Sequence, residues 1–212
     1  MRNWKWQFAR TVILLGTLAL ITLQCHASCH GTSAQTFSKI YPAVEAIRAS
    51  CSVPIGFDEA ESDPDNAAIT LDLNGNDVAR VFDKLVVQRS GYKWSMEDGV
   101  YDLYPKAKPE RLSGLIIKTF VLEEATHTEA LVALDTLPEV RKWHSRRHEY
   151  GGVLISQAGH PQTEPRISLV LKNVPVRTIL NKLSLSLGSV PQEPQWSILH
   201  YGEGKKRSNI SF

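Results

Sequence analysis

One segment of this chain is written twice. Residues 69–85 (ITLDLNGNDVARVFDKL) and residues 167–183 (ISLVLKNVPVRTILNKL) align at an offset of 98, with Ile, Leu, Leu, Val, Lys and Leu coinciding. A repeated stretch of this length restricts the fold to copies of one small unit packed together. Halving the offset suggests a further copy. A shift of 49 carries Leu71, Leu73, Phe82 and Leu85 onto Phe120, Leu122, Leu131 and Leu134, and Trp94 onto Trp143. Trp196 then stands for the third copy, displaced by the Pro-rich stretch around Pro191 and Pro194. The expectation is an α+β fold of three βαββ-like units with a period of about 49 residues, in one compact body or two closely packed lobes.

Local periodicity supports strands and helices within each unit. Ile69, Leu71 and Leu73 alternate with polar residues, as a half-buried strand does. Val78, Val81, Phe82, Leu85 and Val86 follow one face of a helix that stops near Ser90 and Gly91. Tyr92, Trp94 and Met96 alternate again, and Asp98-Gly99 is a two-residue hairpin turn before residues 100–103. In the middle region residues 118–123 predict a strand. Thr126 and Glu129 predict a capping box, and Pro138 is expected to end that helix. In the last copy Pro175 is placed in the first helical turn, before the stripe Val176, Ile179, Leu180, Leu183 and Leu187. Upstream, Phe37, Ile40, Val44 and Ile47 predict another amphipathic helix, and Val53, Ile55 and Phe57 a short strand. Residues 153–155 predict a hairpin strand.

The N-terminus has a different character. Arg2, Lys5 and Arg10 precede the uncharged apolar run of residues 11–23, and small residues follow at Cys25 and Ala27. This is the pattern of a secretory signal peptide, cleaved after Ala27. An uncleaved anchor is the alternative, although a helix of thirteen residues spans only about 20 Å of a hydrocarbon core of about 30 Å. The domain expectation is therefore a signal peptide at 1–27, a first unit with its preceding helix and strand at 28–110, and a second lobe at 111–212. The segment also explains the net charge of +2. It holds three of the 24 basic residues and no acidic one, leaving 21 basic against 22 acidic. That balance offers no general attraction to nucleic acid.

Of the three cysteines, Cys25 lies in the signal segment, leaving Cys29 and Cys51. In an exported chain such a pair forms a disulfide or remains as two thiols, and the sequence leaves both open. Residues 25–30 (CHASCH) resemble a haem-attachment site but have one residue too many between the cysteines.

The pattern I-x-L-x-L, then V-x-x-V/I-F/L-x-K-L, then the aromatic hairpin from Tyr92 to Leu103, resembles the secretin and TonB short N-terminal (STN) domain family. The resemblance is clearest over residues 36–105 and returns over 166–212. It implies small βα sandwiches of bacterial envelope proteins, without catalytic residues, that act as docking modules. The expected function is a non-enzymatic, exported, periplasmic or cell-envelope protein that docks on another envelope protein by strand addition or through a helix groove. The mature chain is not expected to span the membrane. The candidate sheet edges are residues 100–103 and 209–212.

The alternative is a metal-dependent enzyme or metal-binding protein built on His144, His148 and His160. With Trp143 aligned to a strand, His144 and His148 would stand about 13 Å apart, too far to share one metal. A solvated basic loop is the expected reading. His127 occupies the slot of Val78 and Val176, so it is read as a partly buried residue at a helix start. The acidic run Asp58, Glu59, Glu61, Asp63 and Asp65 lacks the Gly and closing Glu of a calcium loop. Lys205, Lys206 and Arg207 read as a solvated turn. Trp94, Trp143 and Trp196 read as core aromatics. No phosphate-binding glycine loop or nucleophile elbow occurs. The sequence therefore singles out no catalytic, cofactor-binding or metal-ligating residue.

Overall fold

The computed structural model describes residues 28–31, 34–60, 67–106, 111–147, 150–154, 165–186, 196–201 and 207–211. Where apolar residues alternate, strands form, and where they recur at three and four, helices form. The first half runs β1 (Ser28–His30), β2 (Gln35–Phe37), α1 (Ile40–Cys51), β3 (Ile55–Asp58), β4 (Ile69–Leu71), β5 (Asn74–Asp77), α2 (Val78–Gln88), β6 (Tyr92–Glu97) and β7 (Val100–Pro105). A 3₁₀ turn at Leu112–Gly114 leads into the second half. This runs β8 (Ile116–Ala125), α3 (His127–Asp135), α4 (Pro138–Arg147), β9 (Tyr150–Leu154), β10 (Ile167–Pro175), α5 (Val176–Ser186), β11 (Trp196–Tyr201) and β12 (Arg207–Ser211). Helices and strands are mixed along the chain, an α+β fold.

Strand pairing follows the same plan in both halves. β2 pairs antiparallel with β4, and β8 with β10. β6 forms a hairpin with β7, and β11 with β12. A strand from earlier in each half then crosses over to lie parallel: β3 beside β7, and β9 beside β12. A parallel β3–β11 pair welds the halves into one sheet of order β6-β7-β3-β11-β12-β9.

The sheet carries a core on each face. Ile55 and Phe57 of β3 join Leu103 of β7, α1 and α2 in the first core. Trp196 and Ile198 of β11 join α3, α4 and α5 in the second. All four residues of β3 are buried, as a strand covered on both faces requires.

This pairing corrects several sequence expectations. Trp143 does not lie on a strand. It belongs to α4, where Val140 and Trp143 share the buried face at helical spacing. The three-copy arrangement with a 49-residue period fails there, because β8 and α3 occupy the places that β2 and α1 fill in the first half. Pro138 does not end a helix but begins α4, where its missing N–H is harmless. Pro175 is the last residue of β10 rather than part of the first helical turn. Phe37 lies on β2, and α1 starts at Ile40. β9 is no hairpin strand, since it pairs parallel with β12. Both candidate edges are interior: β7 is flanked by β6 and β3, and β12 by β11 and β9. The crossover strands occupy the sides that a hairpin alone would leave open. Phe212 and Ile155 lie outside the described residues.

Other local signals hold. Thr126 and Glu129 form a reciprocal capping box at the start of α3. Asp98 and Gly99 both take positive φ (55° and 86°), as the two-residue turn between β6 and β7 demands. Cys29 and Cys51 are joined in a disulfide that ties β1 to the end of α1. The bond closes a loop with a sequence separation of 22. Replacing both cysteines by serine is expected to cost about 3 kcal/mol, measured by urea unfolding of the oxidised chain and the variant.

Candidate functional site

Two features of this architecture are candidates for function: a buried polar junction between the halves, and the strands left unpaired at the sheet margins.

The junction is built on one row of the central sheet. Trp196 of β11 stands opposite Gly56 of β3, and Gly56 opposite Asp102 of β7. Paired residues share a face, so all three turn toward α5. Trp196 Nε1 donates to Asn181 Oδ1 at 2.6 Å, and Asn181 Nδ2 donates to Asp102 Oδ2 at 3.0 Å. Asp102, Asn181 and Trp196 are all buried. Asp102 Oδ1 accepts no hydrogen bond from the described residues. Burial pushes the Asp102 carboxyl up to about 7; the Asn181 hydrogen bond opposes this, the Glu97 charge adds to it, Arg177 opposes it and Asp98 adds to it. Gly56 is required by close approach. A Cβ there would sit 2.3 Å from the Trp196 ring and 2.6 Å from Asp102 Oδ1.

Around this row α5 is fastened to the first hairpin. Thr178 Oγ1 donates to Glu97 Oε1 at 2.5 Å, and Arg177 Nε to Glu97 Oε2 at 3.5 Å. Lys182 Nζ lies 2.8 Å from Asp98 Oδ2. The Tyr104 ring receives Lys93 at 5.1 Å and Arg177 at 5.4 Å, both within cation–π range. A second fastening lies at the other end of β3. Buried Asp58 accepts from Ser113 Oγ and from Arg111 Nη1 (3.3 Å), and Arg111 also donates to Glu59 O at 2.7 Å. These groups hold the two halves as one body.

At the margins, β6 and β9 end the six-stranded sheet. The long β8–β10 ribbon stands apart from it, with both outer edges unpaired among the described residues. One face of the ribbon, with Phe120 and Leu122, belongs to the second core. On the other, Val121 and Val170 stand directly opposite each other, 48% and 63% exposed.

The residues singled out in the sequence fall as follows. His144 lies on α4, buried, with Nε2 3.9 Å from Asp135 Oδ1. Its placement on a helix corrects the strand reading, while His148 and His160 lie outside the described residues. Among the described residues no group of three or more His, Cys, Asp or Glu is placed to hold a metal. His127 is the half-buried first residue of α3. Of the acidic run, Asp58 ends β3 as a buried partner of Arg111; Glu61, Asp63 and Asp65 lie outside the described residues, as do Lys205 and Lys206. Arg207 opens β12. Trp143 and Trp196 are buried, and Trp94 is half-buried with Nε1 donating to Asp83 Oδ1 at 2.9 Å.

The Asp102–Asn181–Trp196 row was missed by the sequence reading. Its one signal is Asp102 between Tyr101 and Leu103 in an otherwise apolar strand, which alternation assigns to the solvent face. No family model, no curated protein and no solved structure matches the chain.

Proposed function

We propose that this chain is an exported, non-enzymatic protein of the cell envelope that docks on another protein, similar in role to the STN domains its sequence resembles. The observation that carries this reading is the β8–β10 ribbon. It offers strand edges that no further strand covers among the described residues, apart from Lys118 N, which donates to Glu139 Oε1 of α4, and an exposed valine pair, the two elements that strand addition uses for affinity and side-chain selection. Three further points support it. The disulfide between Cys29 and Cys51 suits an oxidising compartment, as an exported chain meets. Residues 1–27 have the pattern of a signal peptide. Among the described residues no helix is long and apolar enough to cross a membrane. The polar groups of the junction are spent on fastening α5 and the 111–113 segment to the first half, which suits a rigid platform better than a reaction centre.

The test is capture from the native envelope with the purified chain, beside the double variant Val121→Glu/Val170→Glu. Both positions are solvent-facing, so the variant is expected to fold and to lose the captured partner at least tenfold. An unchanged set of captured proteins would overturn the ribbon as the docking surface.

A further inference from the structure

The margin of the sheet at β6 is complementary to itself. β6 reads Tyr92-Lys93-Trp94-Ser95-Met96-Glu97. Its inner side is bonded to β7, with Glu97 opposite Val100, Ser95 opposite Asp102 and Lys93 opposite Tyr104. A two-residue turn makes Glu97–Val100 a hydrogen-bonded pair, and alternation extends this to Ser95 and Lys93. Two backbone contacts agree. Lys106 N donates to Gly91 O on the same alternation, and Tyr101 N, opposite Met96, turns away from β6 to donate to Pro54 O of the segment before β3. Trp94 and Met96 therefore direct their N–H and C=O groups outward, where among the described residues no strand meets them.

We propose that a second copy of this chain pairs there, β6 antiparallel to β6 about a two-fold axis through Ser95. The register that brings the outward groups of the two strands together sets Trp94 opposite Met96 of the partner subunit, twice, with both backbone bonds exchanged in each pair. The same register sets Lys93 opposite Glu97 of the partner subunit, also twice. Opposed residues share a face, and both pairs obey this. Trp94 and Met96 lie on the α2 side of the sheet, where Trp94 packs against Phe82 and Tyr101. Lys93 and Glu97 lie on the α5 side, with Tyr104 and Thr178. Met96 is 56% exposed in the single chain. In the pair its thioether meets the half-buried indole, a contact sulfur favours. The charges serve selectivity as well. A Lys and a Glu on an open margin discourage a foreign apolar strand, yet they match each other in this one register. A two-fold pair also closes, which limits assembly to two chains.

This inference is independent of the docking role proposed for the β8–β10 ribbon. The test is sedimentation equilibrium of the purified chain up to ~100 μM, because a contact between two strands is small and weak. A single species of twice the mass of the purified chain is expected. Lys93→Glu sets Glu against Glu and is expected to weaken the dimer at least tenfold; Glu97→Lys sets Lys against Lys with the same result. Mixing the two variants restores opposite charges at both positions and is expected to restore a mixed dimer. Met96→Pro removes an outward N–H while sparing the ladder to β7, and is expected to leave a folded monomer. It keeps the test decisive should Glu97→Lys disturb the contacts of Glu97 with α5. A wild-type chain monomeric throughout, or a dimer unmoved by Lys93→Glu and Met96→Pro, would overturn the proposal. An open ladder of sizes would also overturn it, since that is what β9 of one copy on β6 of the next would build.

Discussion

Gly56→Ala is expected to cost at least about 4 kcal/mol, enough to leave much of the chain unfolded at room temperature. The reason is geometric. The new methyl would meet the Trp196 ring at 2.3 Å and Asp102 Oδ1 at 2.6 Å, far inside contact distance. Neither neighbour has room to retreat. Trp196 is held by Asn181 and buried in the second core, and Asp102 is held by Asn181 from the same side. Either β3 leaves β11, breaking the weld between the halves, or the indole leaves its core. Urea unfolding with tryptophan fluorescence measures the loss. The cause is checked by repeating the substitution in a Trp196→Leu background, where the penalty should shrink by at least half. An equal penalty in both backgrounds would mean that the ring is not what Gly56 accommodates.

The second large effect is electrostatic. The carboxyl of Asp102 titrates near 7 in the folded chain and near 3.8 as the ordinary value. Its folded value is raised, so ionisation opposes folding. Below about pH 4 both states are protonated and no cost arises. Between about pH 4 and 7 the unfolded chain ionises first and stability falls as pH rises. Above 7 the cost is complete, on the order of 4 kcal/mol. Roughly 2.5 kcal/mol of it falls between pH 5 and 8, a range in which ordinary carboxylates stay ionised. Asp102→Asn keeps the shape and removes the charge. The variant is expected to exceed the wild type in stability at pH 8 and to approach it at pH 5. Superimposable pH profiles would show that Asp102 does not carry the charge cost. The effect acts between the halves, since Asn181, Arg177 and Lys182 belong to α5 while Glu97, Asp98 and Asp102 belong to the first hairpin.

Neither residue is conspicuous in the sequence, for a physical reason. Asp102 sits in a strand whose neighbours Tyr101 and Leu103 face the first core. Alternation then assigns the aspartate to water, and for an isolated half that would be right. It is buried because α5, about 80 residues later, covers the second face of the sheet. Gly56 has the same history: its lack of a side chain matters only once Trp196 has been brought against it. The 49-residue register misled for a related reason. Leu131 and Leu134 recur at helical spacing in any amphipathic helix, so their agreement with Phe82 and Leu85 reported a period rather than an equivalent element. Val140, Trp143 and His144 already followed a helical stripe, and α4 is where the structure puts them.

From its own residues the chain determined what depends on near neighbours: the alternating strands, the buried stripes of α2 and α5, the Asp98-Gly99 turn and the Thr126–Glu129 cap. These are decided by backbone dihedrals and side-chain period within a dozen residues. Which strands lie at a margin, which polar groups are buried and whether Cys29 and Cys51 are joined were decided only by tertiary structure. Those properties depend on β3 and β9 crossing over to the far sides of β7 and β12, and on β11 closing against β3. Pairing between distant strands is chosen by the packing of both cores at once, and no local stretch of sequence carries that choice.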